Sequence, residues 1–450
     1  MIARTALALL LASAGMVGTA QAQLLNCENG ACRARLTAAE LLQSAEQMVA
    51  QKRFAEAAPM LAALENAPEL QMQRQFLLGY TAVENGNFEE AAKWFRAALV
   101  NHPDQTRIRL ELARTLMLQG KTQAADHHFR LAQADSKLPL DLLQQVRSTR
   151  SVLRDAREYS FNVDLGFAPD SNITNGTNAE TVDASFGNLV IPLTLDESAR
   201  RKSGLGQTAS LGGSARLDLG ETSRLLIDAN GQIVNYGGKT YDDIAIQLAV
   251  GPELTLNDDL RVSLQATGNQ RWFGGKRATT GGGIRAGMQL TIDDDQRLGL
   301  TLETGKNDSG FATAYDGWQF GAYATYERVV GKSLIGAATL FARRESLNSA
   351  SYSSTEVGGN LGLGGELPLG LSASISGGVS RALSDAPLAL FGSDARADWR
   401  LNGRATLGLR SLRMWGFSPS VTYSFSKISS TLSLYDSNRH KLRLGFARYF

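Results

Sequence analysis

The sequence predicts an all-α helical-repeat domain followed by an all-β transmembrane barrel of about 14 antiparallel strands. Three observations carry this reading. Residues 158–450 hold 39 of the 45 glycines, so the chain has two parts of different character. Before that point the sequence matches itself at a shift of 34 residues. After it, apolar and polar residues alternate with a period of two. Charge adds an exclusion: 46 Lys and Arg against 44 Asp and Glu, in 450 residues, give no reason to expect a nucleic-acid partner.

Residues 1–22 read as a secretory signal. Arg4 supplies the positive start, Ala6–Val17 is an uncharged apolar run, and Ala20-Gln21-Ala22 fits the small-x-small cleavage rule. That run is shorter than the roughly 20 residues a membrane-spanning helix needs, and no later apolar stretch reaches that length. An α-helical membrane protein is thereby excluded. The two cysteines, Cys27 and Cys32, follow the cleavage site, in an oxidising compartment. A disulfide closing their short loop is the favoured expectation. Lipid modification of Cys27 is the other, although Leu24-Leu25-Asn26 lacks the small residue expected before a lipidated cysteine. Two cysteines are too few for a zinc site.

Residues 23–157 form the expected helical domain. In the unit 72–105, Gly79, Gly86, Phe88, Ala91, Phe95 and Ala98 mark the pattern. The next unit, 106–139, repeats it with Gly120, Ala125, Phe129 and Ala132, and the preceding unit, 38–71, with Phe54, Ala57, Leu61 and Leu64. Small residues let helices approach, and large ones fill the space between neighbouring repeats. This is the tetratricopeptide pattern, a helix–turn–helix of about 34 residues. One more helix is expected over Asp141–Arg157, with Leu142, Leu143, Val146 and Leu153 on its apolar side. Such repeats either offer a groove to a peptide or protein, or brace a neighbouring domain; groove binding is favoured. His127 and His128 are adjacent on a helix and point apart, which argues against a shared metal.

Residues 158–450 form the expected barrel. Phe417, Pro419, Val421, Tyr423 and Phe425 alternate with Ser418, Ser420, Thr422, Ser424 and Ser426, and strand after strand does the same. Short turns fall near Glu221, Asp258, Asp294, Gly331, Leu369 and Arg413, with longer polar connections between them. The longest connection is about Pro169–Ser203. Soluble sandwich strands average about 5–6 residues, whereas these run to about twice that, the length that crosses an outer membrane. An even count returns both barrel ends to one side, and short turns face the periplasm. The repeat domain is then periplasmic.

No enzyme constellation rises above background: there is no nucleophile elbow, phosphate-binding glycine loop or zinc-ligand spacing. The expectation is a protein that is not an enzyme, with no cofactor and no metal. Asp293-Asp294-Asp295 reads as a solvated turn, Arg343 and Arg344 as lumen-lining candidates, and His440 has no evident serine partner.

Gly166-Phe167-Ala168-Pro169-Asp170-Ser171-Asn172-Ile173, then Leu193-Thr194-Leu195 and Asp196-Glu197-Ser198-Ala199-Arg200, and the closing Ala447-Arg448-Tyr449-Phe450 resemble the surface lipoprotein assembly modifier (Slam) family. Asp170, Ser171, Asn172 and Ile173 look like that family's barrel start. The resemblance covers nearly the whole mature chain. It implies an outer-membrane protein that moves selected surface lipoproteins, or secreted haem- or metal-scavenging proteins, out of the periplasm. The barrel is then the conduit and the repeats engage cargo, with outer-membrane lipid around the wall. An exopolysaccharide export porin with a periplasmic repeat domain is the alternative, and a plain diffusion porin a third class.

Overall fold

A computed structural model describes residues 26–28, 31–33, 36–133, 135, 138–155, 158–186, 189–331, 333–367, 370–412 and 414–449. The expected signal, 1–22, lies outside the described residues. The chain divides into two compact units, Met1–Gln119 and Gly120–Phe450.

In the first unit, strands β1 (Asn26–Glu28) and β2 (Ala31–Arg33) pair with Cys27 opposite Cys32. Five helices follow: α1 (Ala38–Ala50), α2 (Phe54–Ala63), α3 (Gln71–Glu84), α4 (Phe88–Asn101) and α5 (Thr106–Leu118). Thr37 opens α1 with a reciprocal cap: its hydroxyl accepts from the Glu40 amide, and the Glu40 carboxylate accepts from the Thr37 amide. The core is built from Leu42, Ala45, Val49, Ala57, Leu61, Leu64 and Leu77. Arg74 is buried beside it, where its Nε donates to the Leu61 carbonyl at 2.7 Å. The repeat also shows in the backbone. Lys52, Gly86 and Gly120 close successive helix turns at φ of 58°, 76° and 72°. Lysine in that left-handed position carries a Cβ penalty the two glycines avoid.

The second unit begins with α6 (Thr122–Gln133) and α7 (Leu140–Asp155). Arg150 ties them together through Asp126 at 2.8 Å. The barrel then runs β3 (Tyr159–Asp170), β6 (Gly204–Asp218), β7 (Ser223–Asn235), β8 (Asp243–Thr255), β9 (Leu260–Phe273), β10 (Lys276–Asp293) and β11 (Gln296–Ser309). It continues with β12 (Gly317–Val330), β13 (Leu334–Leu347), β14 (Ser354–Glu366), β15 (Leu371–Ser384), β16 (Ala397–Leu409), β17 (Ser418–Ser430) and β18 (Ser437–Tyr449). These 14 strands close antiparallel, with β18 against β3. The 171–203 connection holds one element that alternation over so short a span does not announce, the hairpin β4 (Thr181–Phe186) and β5 (Leu189–Thr194).

Outward positions of the wall carry large apolar side chains, such as Leu340 at 70% and Leu361 at 69% exposure. Inward positions on the same strands carry Thr339, Glu356 and Asn360. This is a soluble protein turned inside out, as a lipid-facing barrel requires. The α6–α7 pair is fastened to the short turns of the wall. Arg147 reaches Asp295 at 3.2 Å and the Gly331 carbonyl, and Arg130 lies 3.9 Å from Glu366. So one carboxylate of the expected solvated Asp293–Asp295 turn is engaged by a helix.

Gly79 and Phe95 fix the α3–α4 contact. A Cβ built on Gly79 would sit 2.6 Å from the Phe95 ring, which is fully buried. Gly79→Ala is therefore expected to destabilise this helix pair by about 1–3 kcal/mol through overpacking. Phe95→Ala should cost about 3–5 kcal/mol through the cavity it leaves. Hydrogen exchange of the α3 and α4 amides reads both, and unchanged protection in either variant would contradict the packing described.

Candidate functional site

The lumen is the first feature capable of function. On β7, Asp228, Asn230 and Gln232 point inward, while Ile227 and Ile233 point out. On β8, β9 and β10 the inward residues include Gln247, Gln265, Asn269 and Arg285. Side chains bond across strands: Gln265 donates to Asp228 at 2.9 Å, and Arg285 meets Glu303 at 2.7 Å. The result is a wettable wall. Arg343 and Arg344 divide, because successive strand residues face opposite ways. Arg343 approaches the lumenal Glu356 at 3.9 Å, and Arg344 pairs with Asp385 at the end of β15. His440 stacks outward, its ring nitrogen 2.8 Å from the Tyr423 hydroxyl. Its backbone amide, and not its ring, donates to Ser171 Oγ at 2.8 Å. Among the described residues, no group of three His, Cys, Asp or Glu side chains could hold a metal.

The second feature is the segment that ends β3. Asp170 has a fully buried side chain. Its carboxylate accepts from Arg439 Nε at 2.9 and 3.0 Å, from Tyr236 Oη at 2.8 Å and from the Asn172 amide at 2.9 Å. Lys441 stands 3.9 Å away. Asn172 organises the following turn: its Oδ1 accepts from the Gly176 amide and Thr174 Oγ1, both at 3.0 Å, and its Nδ2 donates to the Gly176 carbonyl at 2.9 Å. Ser171 exchanges hydrogen bonds with His440, and the Ile173 amide donates to the Lys202 carbonyl at 2.8 Å. Asn175 takes the left-handed conformation at φ 51°, as asparagine tolerates, and its Oδ1 accepts from Arg439 at 2.6 Å. At Gly176 the chain passes so close to residue 199 that a Cβ would lie 2.5 Å from the Ala199 oxygen.

Below it, Arg443 on β18 reaches Asp164 on β3 at 2.6 Å and Thr208 at 2.9 Å. This diagonal pair passes over Gly166 and Gly445, which face each other in the ladder. A Cβ on Gly445 would stand 3.0 Å from the Asp164 carboxylate. Three cations at every second residue of the last strand thus meet two carboxylates on the first.

Asp170, Ser171, Asn172 and Ile173 come together as one turn at the barrel's first strand. The repeat residues Gly79, Gly86, Ala91, Phe95 and Ala98 lie in the first unit, and Gly120, Ala125 and Phe129 begin the second. Arg439, Lys441 and Arg443 escaped the sequence reading, as did Tyr236. The legible signal was three like charges on one inward strand face, which demand acids opposite.

A closed 14-strand antiparallel barrel with an apolar outer wall, following tetratricopeptide helices, defines an outer-membrane β-barrel protein with a helical-repeat N-terminal region. The chain belongs to the surface lipoprotein assembly modifier family, whose sequence model matches residues 159–450. Tetratricopeptide repeat models match residues 48–106 and 76–139. Among curated relatives, surface lipoprotein assembly modifier 1 of Haemophilus influenzae is 21% identical, over 82% of this chain and 75% of that one. The surface lipoprotein assembly modifier of Moraxella catarrhalis is 24% identical, over 84% of this chain and 74% of its own. Among solved structures, Salmonella typhi OmpF is 10% identical with a TM-score of 0.38, covering 66% of this chain and 99% of that one.

Replacing Asp170 by Asn leaves Arg439 and Lys441 without their main counter-charge. A cost of about 1–3 kcal/mol is expected, below that of a fully buried pair because Arg439 is partly solvated. Tyr236→Phe removes one neutral donor and should cost about 1 kcal/mol. The temperature at which the folded barrel loses its compact gel mobility in detergent should rank wild type above Tyr236→Phe above Asp170→Asn.

Proposed function

We infer that this protein moves selected lipoprotein or secreted protein cargo from the periplasm to the cell surface. Family membership carries the reading, and the curated relatives bear the matching name. The barrel is the conduit: its inward Asn, Gln, Thr and Ser residues solvate an extended polar chain without holding it. The helical repeats engage cargo on the periplasmic side, which raises its local concentration at the conduit. An even strand number puts both barrel ends on that side, and the short turns that carry α6 and α7 face the periplasm. Transport of this kind involves no bond-making by the protein, so the reading is non-enzymatic. Its energy comes from cargo folding outside or from partner proteins. A disulfide between Cys27 and Cys32, which pair in the β1–β2 ladder, belongs to the same reading of an oxidising compartment.

Protease shaving with mass spectrometry, on cells with and without the protein, tests this, with polysaccharide staining in parallel. One or a few proteins retained in the periplasm of the deletion strain are the expected result. An unchanged protein surface with a lost glycan would replace the reading with polysaccharide export.

A further inference from the structure

A lipoprotein poses a problem that a soluble cargo does not. Its protein part suits a wet lumen, but its acyl chains must end in the outer leaflet, beyond a wall of continuous backbone hydrogen bonds. Resting on the function inferred above, the question becomes where that wall can part.

The seam between β18 and β3 differs from the other neighbouring strand pairs of the wall. Its strands are the first and last of the barrel, and no connecting segment joins them. Its ladder runs from Tyr449↔Asn162 to Leu444↔Phe167, then resumes only at Lys441↔Asp170. Leu442 and Arg443, across from Pro169 and Ala168, are skipped. The proline accounts for this. The Ser171 amide donates to the His440 carbonyl across the seam. Two residues earlier on a strand, the backbone points the same way. That residue is Pro169, which has no N–H to give. The β8–β9 ladder is also interrupted, at Gly251 and Pro252. There the gap lies next to the short turn that ties the two strands together. The β18–β3 gap lies instead at the long-connection end, toward the cell surface.

Side chains do at this gap what the backbone does elsewhere. On the lumen side Arg439 and Lys441 hold Asp170, and Arg443 holds Asp164. Above it, the chain leaving β3 straps over to the β17–β18 connection: Thr177 Oγ1 donates to the carbonyls of Ser433 at 2.6 Å and Asp436 at 2.9 Å. Outside the gap the wall shows Leu442, Leu444, Leu165 and Phe167 to lipid. The strap leads into β5, whose Leu189, Val190, Ile191 and Leu193 are all exposed. A parted seam would thus lead from the lumen to hydrocarbon, beside an apolar hairpin.

We propose that the β3–β18 seam is a lateral exit for the acyl chains of lipoprotein cargo, latched on its lumen side by the Asp170–Arg439 and Asp164–Arg443 pairs. The latch is ionic, so a passing polar chain can exchange with it; the ladders on either side are backbone-bonded and cannot be exchanged in this way.

The test places cysteines at the edge of the gap, Phe167→Cys with Leu444→Cys, which face each other in the ladder and leave the latch residues in place, and confirms their crosslink by mass spectrometry. A control pair, Thr325→Cys with Thr339→Cys, locks β12 to β13, where the two hydroxyls are 3.0 Å apart. The probes are a lipoprotein that shaving shows to depend on this chain, and the same protein with its lipidated cysteine changed to serine. Oxidation of the seam pair should lower surface display of the lipidated probe several-fold, and dithiothreitol should restore it. The non-lipidated probe should still cross, and the control lock should affect neither. Unchanged display of the lipidated probe under the seam lock overturns the proposal, and so does equal loss of both probes. A cargo-independent measurement separates this from the transport reading: amide exchange of β18 in a lipid nanodisc. Asp170→Asn should speed exchange at residues 442–446 and leave β12 and β13 unchanged. If it does not, the seam is no latch, even where transport holds. If exchange behaves as expected but no lipoprotein depends on the chain, the transport reading is what fails, and the acyl route goes with it.

Discussion

Backbone hydrogen bonding in a medium without water governs this molecule. Every amide and carbonyl of a wall in lipid must find a partner inside the wall. Thirteen of the strand junctions join strands that are neighbours in sequence around the barrel, each led into the next by a turn or loop. The last junction has no such help, since its two strands come from opposite ends of the barrel sequence. That is where Arg439 and Arg443 meet Asp170 and Asp164, and where the chain leaving β3 straps over to the β17–β18 connection. The constraint also explains the outward leucines and inward polar residues: with the backbone self-satisfied, side chains alone decide which face meets lipid.

The two architectures were legible in sequence because each has a short, regular period. Ala57, Ala91 and Ala125 recur at the helical repeat and all three are buried. The serines of 418–426 alternate with apolar residues and fall on the inner face of one strand, β17. Non-local chemistry was less legible. Asp170 and Arg439 are 269 residues apart, and no local pattern links them. The motif at Asp170 could be seen as a family likeness, but its role could not, because the partners that define it lie just past β7 and on β18. The β4–β5 hairpin was missed for a different reason. Its strands have six residues each, and β5 is apolar on both faces, so alternation gives no sign of it.

Composition and compactness divide the chain at different places. The change from helix to strand comes near residue 158, yet the compact units part between Gln119 and Gly120. Arg130 and Arg147 give the physical reason for the second. They carry α6 and α7 onto the acidic short turns of the wall, through Glu366 and Asp295. The last helices thus continue the repeat in sequence and serve as fittings of the barrel in space.

The pairing of β18 with β3 also has a temporal side. A chain made from its N-terminus produces Asp164 and Asp170 long before the arginines that neutralise them. Contacts of such sequence separation form late, since the loop they close must be ordered first. Until then the nascent sheet presents a first strand with an open edge and two uncompensated acids. Such an intermediate differs in charge from the finished barrel at one defined place, so neutralisation of Asp170 marks the completed molecule.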